Sequence, residues 1–85
     1  MYYIYLLFSL KTNKYYIGST DDLARRGKHH NAGSTPSTKG GAPYWEIRYT
    51  ETVTDRPTAL KRELEIKKKK SRNDIEWLIQ KGDVN

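Results

Sequence analysis

The sequence predicts an α+β fold, an α/β sandwich in which a three-stranded antiparallel sheet is flanked by helices in the order β-β-α-β-α-α. Three observations predict it. Two runs rich in β-branched and aromatic residues, 2–8 and 15–19, are joined by a short polar turn, which is a hairpin signal. A third run, 44–51, alternates apolar and polar residues as a half-exposed strand does. The remaining stretches carry helix caps and apolar residues at helical spacing.

The first strand is apolar on both faces, with Tyr3, Tyr5 and Leu7 on one and Tyr2, Ile4, Leu6 and Phe8 on the other. A strand covered on both sides belongs at the centre of its sheet. Ser9 to Lys14 is a polar turn containing Thr12-Asn13, and Tyr15 to Ser19 returns. Tyr5 is expected within a residue or two of Tyr16 and Gly18 across the pair. Thr20 is expected to cap a helix over about Asp21 to His30, with Asp21 and Asp22 complementing the helix dipole. On that helix Leu23, Arg26, Gly27 and His30 share a face, whereas Arg25, Lys28 and His29 point elsewhere. Gly27 costs about 1 kcal/mol against alanine and reads either as room for close backbone approach or as a local weakness.

Residues 31–43 form a loop rich in glycine, proline and hydroxyls. With Thr38 and Lys39 it suits closure over a phosphate, and it equally suits a plain connector. In the third strand Trp45, Ile47 and Tyr49 are expected inward, and Glu46, Arg48 and Thr50 outward. Residues 54–57 are a turn and cap, with Pro57 suited to the first turn of a helix over about Thr58 to Lys69. Ala59, Leu60, Leu64 and Ile66 are its apolar members, with Glu63 central to their arc and Glu65 pointing away. A carboxylate on a buried stripe needs a partner or a metal. Lys67 and Lys70, on the same side, offer an ion pair as the alternative. Ser71 is expected to cap a last helix over about Asn73 to Gln80, with Ile75, Leu78 and Ile79 inward and Gly82 as its stop. Residues 1–82 then form a single domain, with 83–85 as a tail.

An 85-residue chain is one small domain with a modest core. Seven tyrosines and two tryptophans argue against disorder. The chain has no cysteine, so it has neither disulfides nor a thiolate zinc site. It lacks a signal-peptide pattern and an apolar run of about 18 residues, so a cytoplasmic location and no membrane contact are expected. A net charge of +6 favours a polyanionic partner, most commonly nucleic acid. Surplus surface lysines on any soluble protein would give the same charge.

These elements together resemble the GIY-YIG nuclease superfamily, and most closely its short stand-alone members. The resemblance rests on Tyr3-Ile4-Tyr5, Tyr16-Ile17-Gly18, the series Ser19-Thr20, Leu23, Arg26 and His30, and Glu63 in a later helix. The loop from Thr38 to Pro43 and the series Ala59-Leu60, Glu63, Lys67 also match such members. Tyr3 stands where the name motif has glycine, Gly27 replaces a commonly larger residue, and Ile75 sits where related members often carry lysine. The resemblance implies metal-dependent hydrolysis of nucleic-acid phosphodiesters. It implies that Tyr5, Tyr16, Arg26, His30 and Glu63 are catalytic and that Glu63 binds the divalent cation, Mg²⁺ or Mn²⁺.

That chemistry suits the residue types. Glu63 can hold a largely hydrated Mg²⁺ as a Lewis acid. Arg26 can grip a phosphate in a forked, charge-assisted way. Tyr5 first, and Tyr16 second, can orient or deprotonate water, and His30 can relay the proton or bind phosphate. Arg25, Lys28, Thr38, Lys39, Arg48 and Lys67 are the expected nucleic-acid contacts. The expected substrate is DNA, with branched DNA of repair or recombination as one class, and with a homodimer or protein partner supplying specificity. A non-catalytic nucleic-acid-binding module of the same fold is the alternative, and a protein-interaction domain with a basic surface is a third reading.

Overall fold

A computed structural model describes residues 1–36, 38–68 and 72–83. Strands β1 (Tyr2–Ser9), β2 (Lys14–Thr20) and β3 (Trp45–Val53) form one antiparallel sheet in the order β2-β1-β3. Helices α1 (Leu23–Asn31), α2 (Arg56–Lys68) and α3 (Arg72–Asp83) complete the expected β-β-α-β-α-α order. A short 3₁₀ turn, Lys39–Gly41, lies in the long loop. Among the described residues, no helix is long and apolar enough to cross a membrane.

The doubly apolar β1 is indeed central, and its two faces seed two cores. Ile4, Leu6 and Ile17 pack under Ala59 and Ile66 of α2 and Leu78 of α3. Ile4 and Leu6 are fully buried, and each such side chain contributes about 1.5–3 kcal/mol. On the opposite face Tyr5, Leu7 and Trp45 pack with Tyr16 and with Leu23 of α1. Tyr5 pairs with Gly18 and Leu7 with Tyr16. Ser9, wholly buried, ties the hairpin to the long loop by donating to the Gly41 carbonyl at 2.9 Å.

Several local expectations are corrected. Asp22, not Thr20, caps α1, accepting from the Arg25 amide at 3.0 Å. Thr20 is paired with Tyr3 in the sheet, so its backbone is already committed. In β3 the register shifts between the partners of Leu6 and Leu7, so that Tyr49 faces Leu6 whereas Ile47 faces Leu7. This bulge at Arg48 breaks the simple alternation. Trp45 joins the α1-side core and Tyr49 the α2/α3-side core, whereas Ile47 is 47% exposed.

Leu60 and Leu64 are exposed on α2, whose inward residues are Ala59, Arg62, Glu63 and Ile66. A Cβ at Gly27 would meet nothing within 4 Å, so this glycine serves no close approach. Helix α3 continues through Gly82 to Asp83 instead of stopping there. The expected cap at Ser71 and the lysines 69–70 lie outside the described residues.

Candidate active site

The site is built on β1. Tyr5 is 2% exposed, and its ring lies over Gly18 of the neighbouring strand. A Cβ at Gly18 would fall 2.4 Å from the Tyr5 hydroxyl oxygen, so glycine is required there by space. The Tyr5 hydroxyl meets Nε2 of His30 at 3.0 Å. His30, wholly buried on the inner face of α1, meets the Thr38 hydroxyl through Nδ1 at 2.7 Å. The Thr38 hydroxyl donates onward to the Thr35 carbonyl at 3.4 Å. This direction makes the Thr38 oxygen an acceptor for Nδ1–H and leaves Nε2 as an acceptor for the Tyr5 proton.

The surroundings hold that chain in place. The Thr38 carbonyl accepts from Nε1 of Trp45 at 2.8 Å. The Asn31 side chain brackets the Trp45 backbone, accepting from its N–H at 2.8 Å and donating to its carbonyl at 3.0 Å. Tyr16 stacks at the edge, its ring centre 6.4 Å from Tyr5 and 5.0 Å from His30. Burial pushes the Tyr5 phenol above its usual range; the Arg26 guanidinium pulls it down, and the charges of Tyr16 and Glu63 add to the rise. Burial lowers the His30 pKa, and the charges of Arg26 and His29 lower it further. A neutral His30 at pH 7 is free to take a proton.

Two further groups act on Tyr5 through their charge. Arg26 lies on the inner side of α1, and its Nε is buried with no hydrogen-bond partner among the described residues. A buried donor left so is costly and suits an anion. Glu63 approaches from α2, its side chain 15% exposed, and its carboxylate accepts from Lys67 Nζ at 2.6 Å. So Glu63 both bears on Tyr5 and makes one of the ion pairs weighed from the sequence, with Lys67. Lys67 is exposed, so it can release the carboxylate into water. No group of three or more His, Cys, Asp or Glu residues that could hold a metal occurs among the described residues. A single carboxylate nevertheless fits Mg²⁺, which keeps most of its water and shares substrate phosphate oxygens.

The other expected contacts scatter. Arg25 is exposed beside Arg26 and pairs with Asp21 at 3.2 Å. Lys28 and Lys39 are exposed on α1 and the loop. Thr38 is 1% exposed, and its hydroxyl is engaged with His30 inside the protein. Arg48 lies on the α3 side of the sheet, its guanidinium 4.7 Å from the Phe8 ring centre and 3.0 Å from Glu46. Sequence reasoning missed Asn31, whose partner is 14 residues away with no local signal. It also missed Arg56 and His29. With Arg25, Arg26 and Leu60 they line a cleft of about 330 Å³ beside the end of β2, to which α1 and α2 both contribute.

A GIY-YIG catalytic-domain family model matches residues 1–76. A UPF0213 protein of Halobacterium salinarum is 35% identical over 68 residues, which is 79% of this chain and 86% of that one. No solved structure matches the chain significantly.

Proposed function

Because the chain belongs to the GIY-YIG family, whose members are generally endonucleases using divalent metal ions, we propose that it is a metal-dependent endonuclease acting on nucleic-acid phosphodiesters, DNA first. The observation that carries this reading is the buried Tyr5–His30–Thr38 chain, with the charges of Arg26 and Glu63 acting on Tyr5. Such a chain exceeds what sheet packing needs, because Tyr5 could pack equally well as phenylalanine.

In this reading Tyr5 orients the attacking water. The water proton passes to the Tyr5 oxygen as the Tyr5 proton passes to Nε2 of neutral His30. Thr38 keeps His30 in the accepting tautomer. Arg26 binds the phosphoryl oxygens, its orphaned Nε–H finding an acceptor there. Tyr16 walls the site and orients water second to Tyr5. Glu63 would hold the divalent ion once Lys67 releases it. The bound ion would supply Lewis-acid neutralisation of the developing charge. Arg25, Lys28 and Lys39 would steer the phosphate backbone, and Lys67 would do so once displaced. Arg48, on the far face, would touch only a wrapped substrate. Selectivity for branched DNA in repair or recombination, with a second copy or a partner aiding it, completes the reading.

The test incubates pure protein with branched and linear DNA, with Mg²⁺ or Mn²⁺ and with EDTA, beside Tyr5→Phe. Metal-dependent cuts that Tyr5→Phe abolishes support the proposal. Salt-sensitive binding with no cleavage under either ion would instead favour the non-catalytic binding module.

A further inference from the structure

The cleft shared by α1, α2 and the end of β2 is built from more cation than the reaction at Tyr5 uses. Arg25, Arg26, His29 and Arg56 line it, with Ser19 and Thr20 at the strand end. Asp21 is the acidic group in the lining, and it is paired to Arg25 at 3.2 Å. Arg56 forms no ion pair among the described residues. Arg56, Leu60 and Glu63 fall at helical spacing on one side of α2, so Arg56 sits seven residues, about 10.5 Å, from Glu63. Arg26 joins the two ends, since it both lines the cleft and bears on Tyr5.

We propose that this cleft is a second phosphate subsite, in which Arg56, with Arg25 and His29, holds a phosphodiester neighbouring the scissile one on the same strand. The subsite rests on the nuclease reading for its ligand, yet its binding role does not require cleavage. It fixes the path of the strand: one phosphate lies at Arg26 and Glu63, and the chain then runs along α2 toward its first turn. A forked guanidinium with no protein partner suits that task better than a lysine. A volume of about 330 Å³ admits a phosphate and its deoxyribose.

The experiment measures binding of a 12-base-pair DNA duplex against salt for the wild type, Arg56→Ala and Lys61→Ala. Lys61 is exposed on another side of the same helix, and its loss changes the charge equally. Each neutralised phosphate contributes about −0.9 to the log–log slope. Arg56→Ala should make the slope shallower by about 0.9, and Lys61→Ala should leave it unchanged. In cleavage, Arg56→Ala should raise KM while kcat holds. Equal slopes for wild type and Arg56→Ala would overturn the subsite, as would an equal loss from Lys61→Ala, which would mean a diffuse basic surface. The same slope difference without cleavage would retain the subsite and remove only the nuclease reading.

Discussion

Glu63→Gln separates a metal ligand from a strut. The substitution keeps the side chain's shape and removes its charge. Read from the sequence, the alternative to a metal was a pair with a buried ammonium, and breaking a buried pair costs about 3–5 kcal/mol. The structure changes that magnitude. Lys67 is 46% exposed, and the pair is a helical i,i+4 contact of 2.6 Å with glutamate on the N-terminal side. Such pairs contribute about 0.3–0.5 kcal/mol. In a domain of this size 1 kcal/mol shifts Tm by about 4–8 °C, so the variant should melt within about 4 °C of the wild type. Cleavage in Mg²⁺ should be lost, with DNA binding kept or tightened because a negative charge beside the phosphate is gone. Circular-dichroism melts, a cleavage assay and a binding titration on the one variant suffice. A Tm drop beyond about 12 °C with metal-dependent cleavage intact would refute the reasoning and make Glu63 a strut.

Gly18→Ala drives a methyl to 2.4 Å from the Tyr5 hydroxyl. Such overpacking costs about 1–3 kcal/mol, so Tm should fall measurably along with cleavage, and an unchanged melt and rate would contradict the packing. Thr38→Val takes away the acceptor of His30 Nδ1–H, and a buried donor so stranded costs about 1–3 kcal/mol. Its kcat should fall and Thr38→Ser should restore it; a lowered Tm with wild-type kcat would remove His30 from the proton path. His30 also sets an acid limit. Its folded pKa lies below the unfolded value of about 6.5. In that window the unfolded chain binds more protons, so stability is full above about 6.5 and declines as pH falls toward the folded pKa. Urea midpoints between pH 7.5 and 5 should show this decline, and His30→Gln should flatten it; an equally steep decline in that variant would assign it elsewhere.

Much of the architecture was legible from local pattern. The two apolar faces of Tyr2 to Phe8 could be satisfied only at the centre of a sheet, and that is where β1 lies. The shared face of Arg26 and His30 follows from helical geometry alone, as does the inward position of Glu63 on α2. Element boundaries slipped by a residue or two where two structures competed for one residue. Thr20 is the example, since its ladder bond to Tyr3 left the cap to Asp22.

What the sequence could not reveal is set by contacts between residues far apart in the chain. The bulge at Arg48 depends on how β3 fits against β1, and it alone sends Trp45 and Tyr49 to opposite cores. Leu60 and Leu64 looked like core residues by type. Helix α2 instead turns Ala59 and Ile66 inward, because only that face meets the sheet. Thr38 read as a loop hydroxyl for a phosphate, and it became the anchor of His30 once the loop folded back under α1. The sequence by itself therefore determined which side chains share a face, because strand and helix periods fix it. Only the tertiary structure decided who holds them in place, because the Tyr5–His30–Thr38 chain and the α1–α2 cleft join residues that no local period connects.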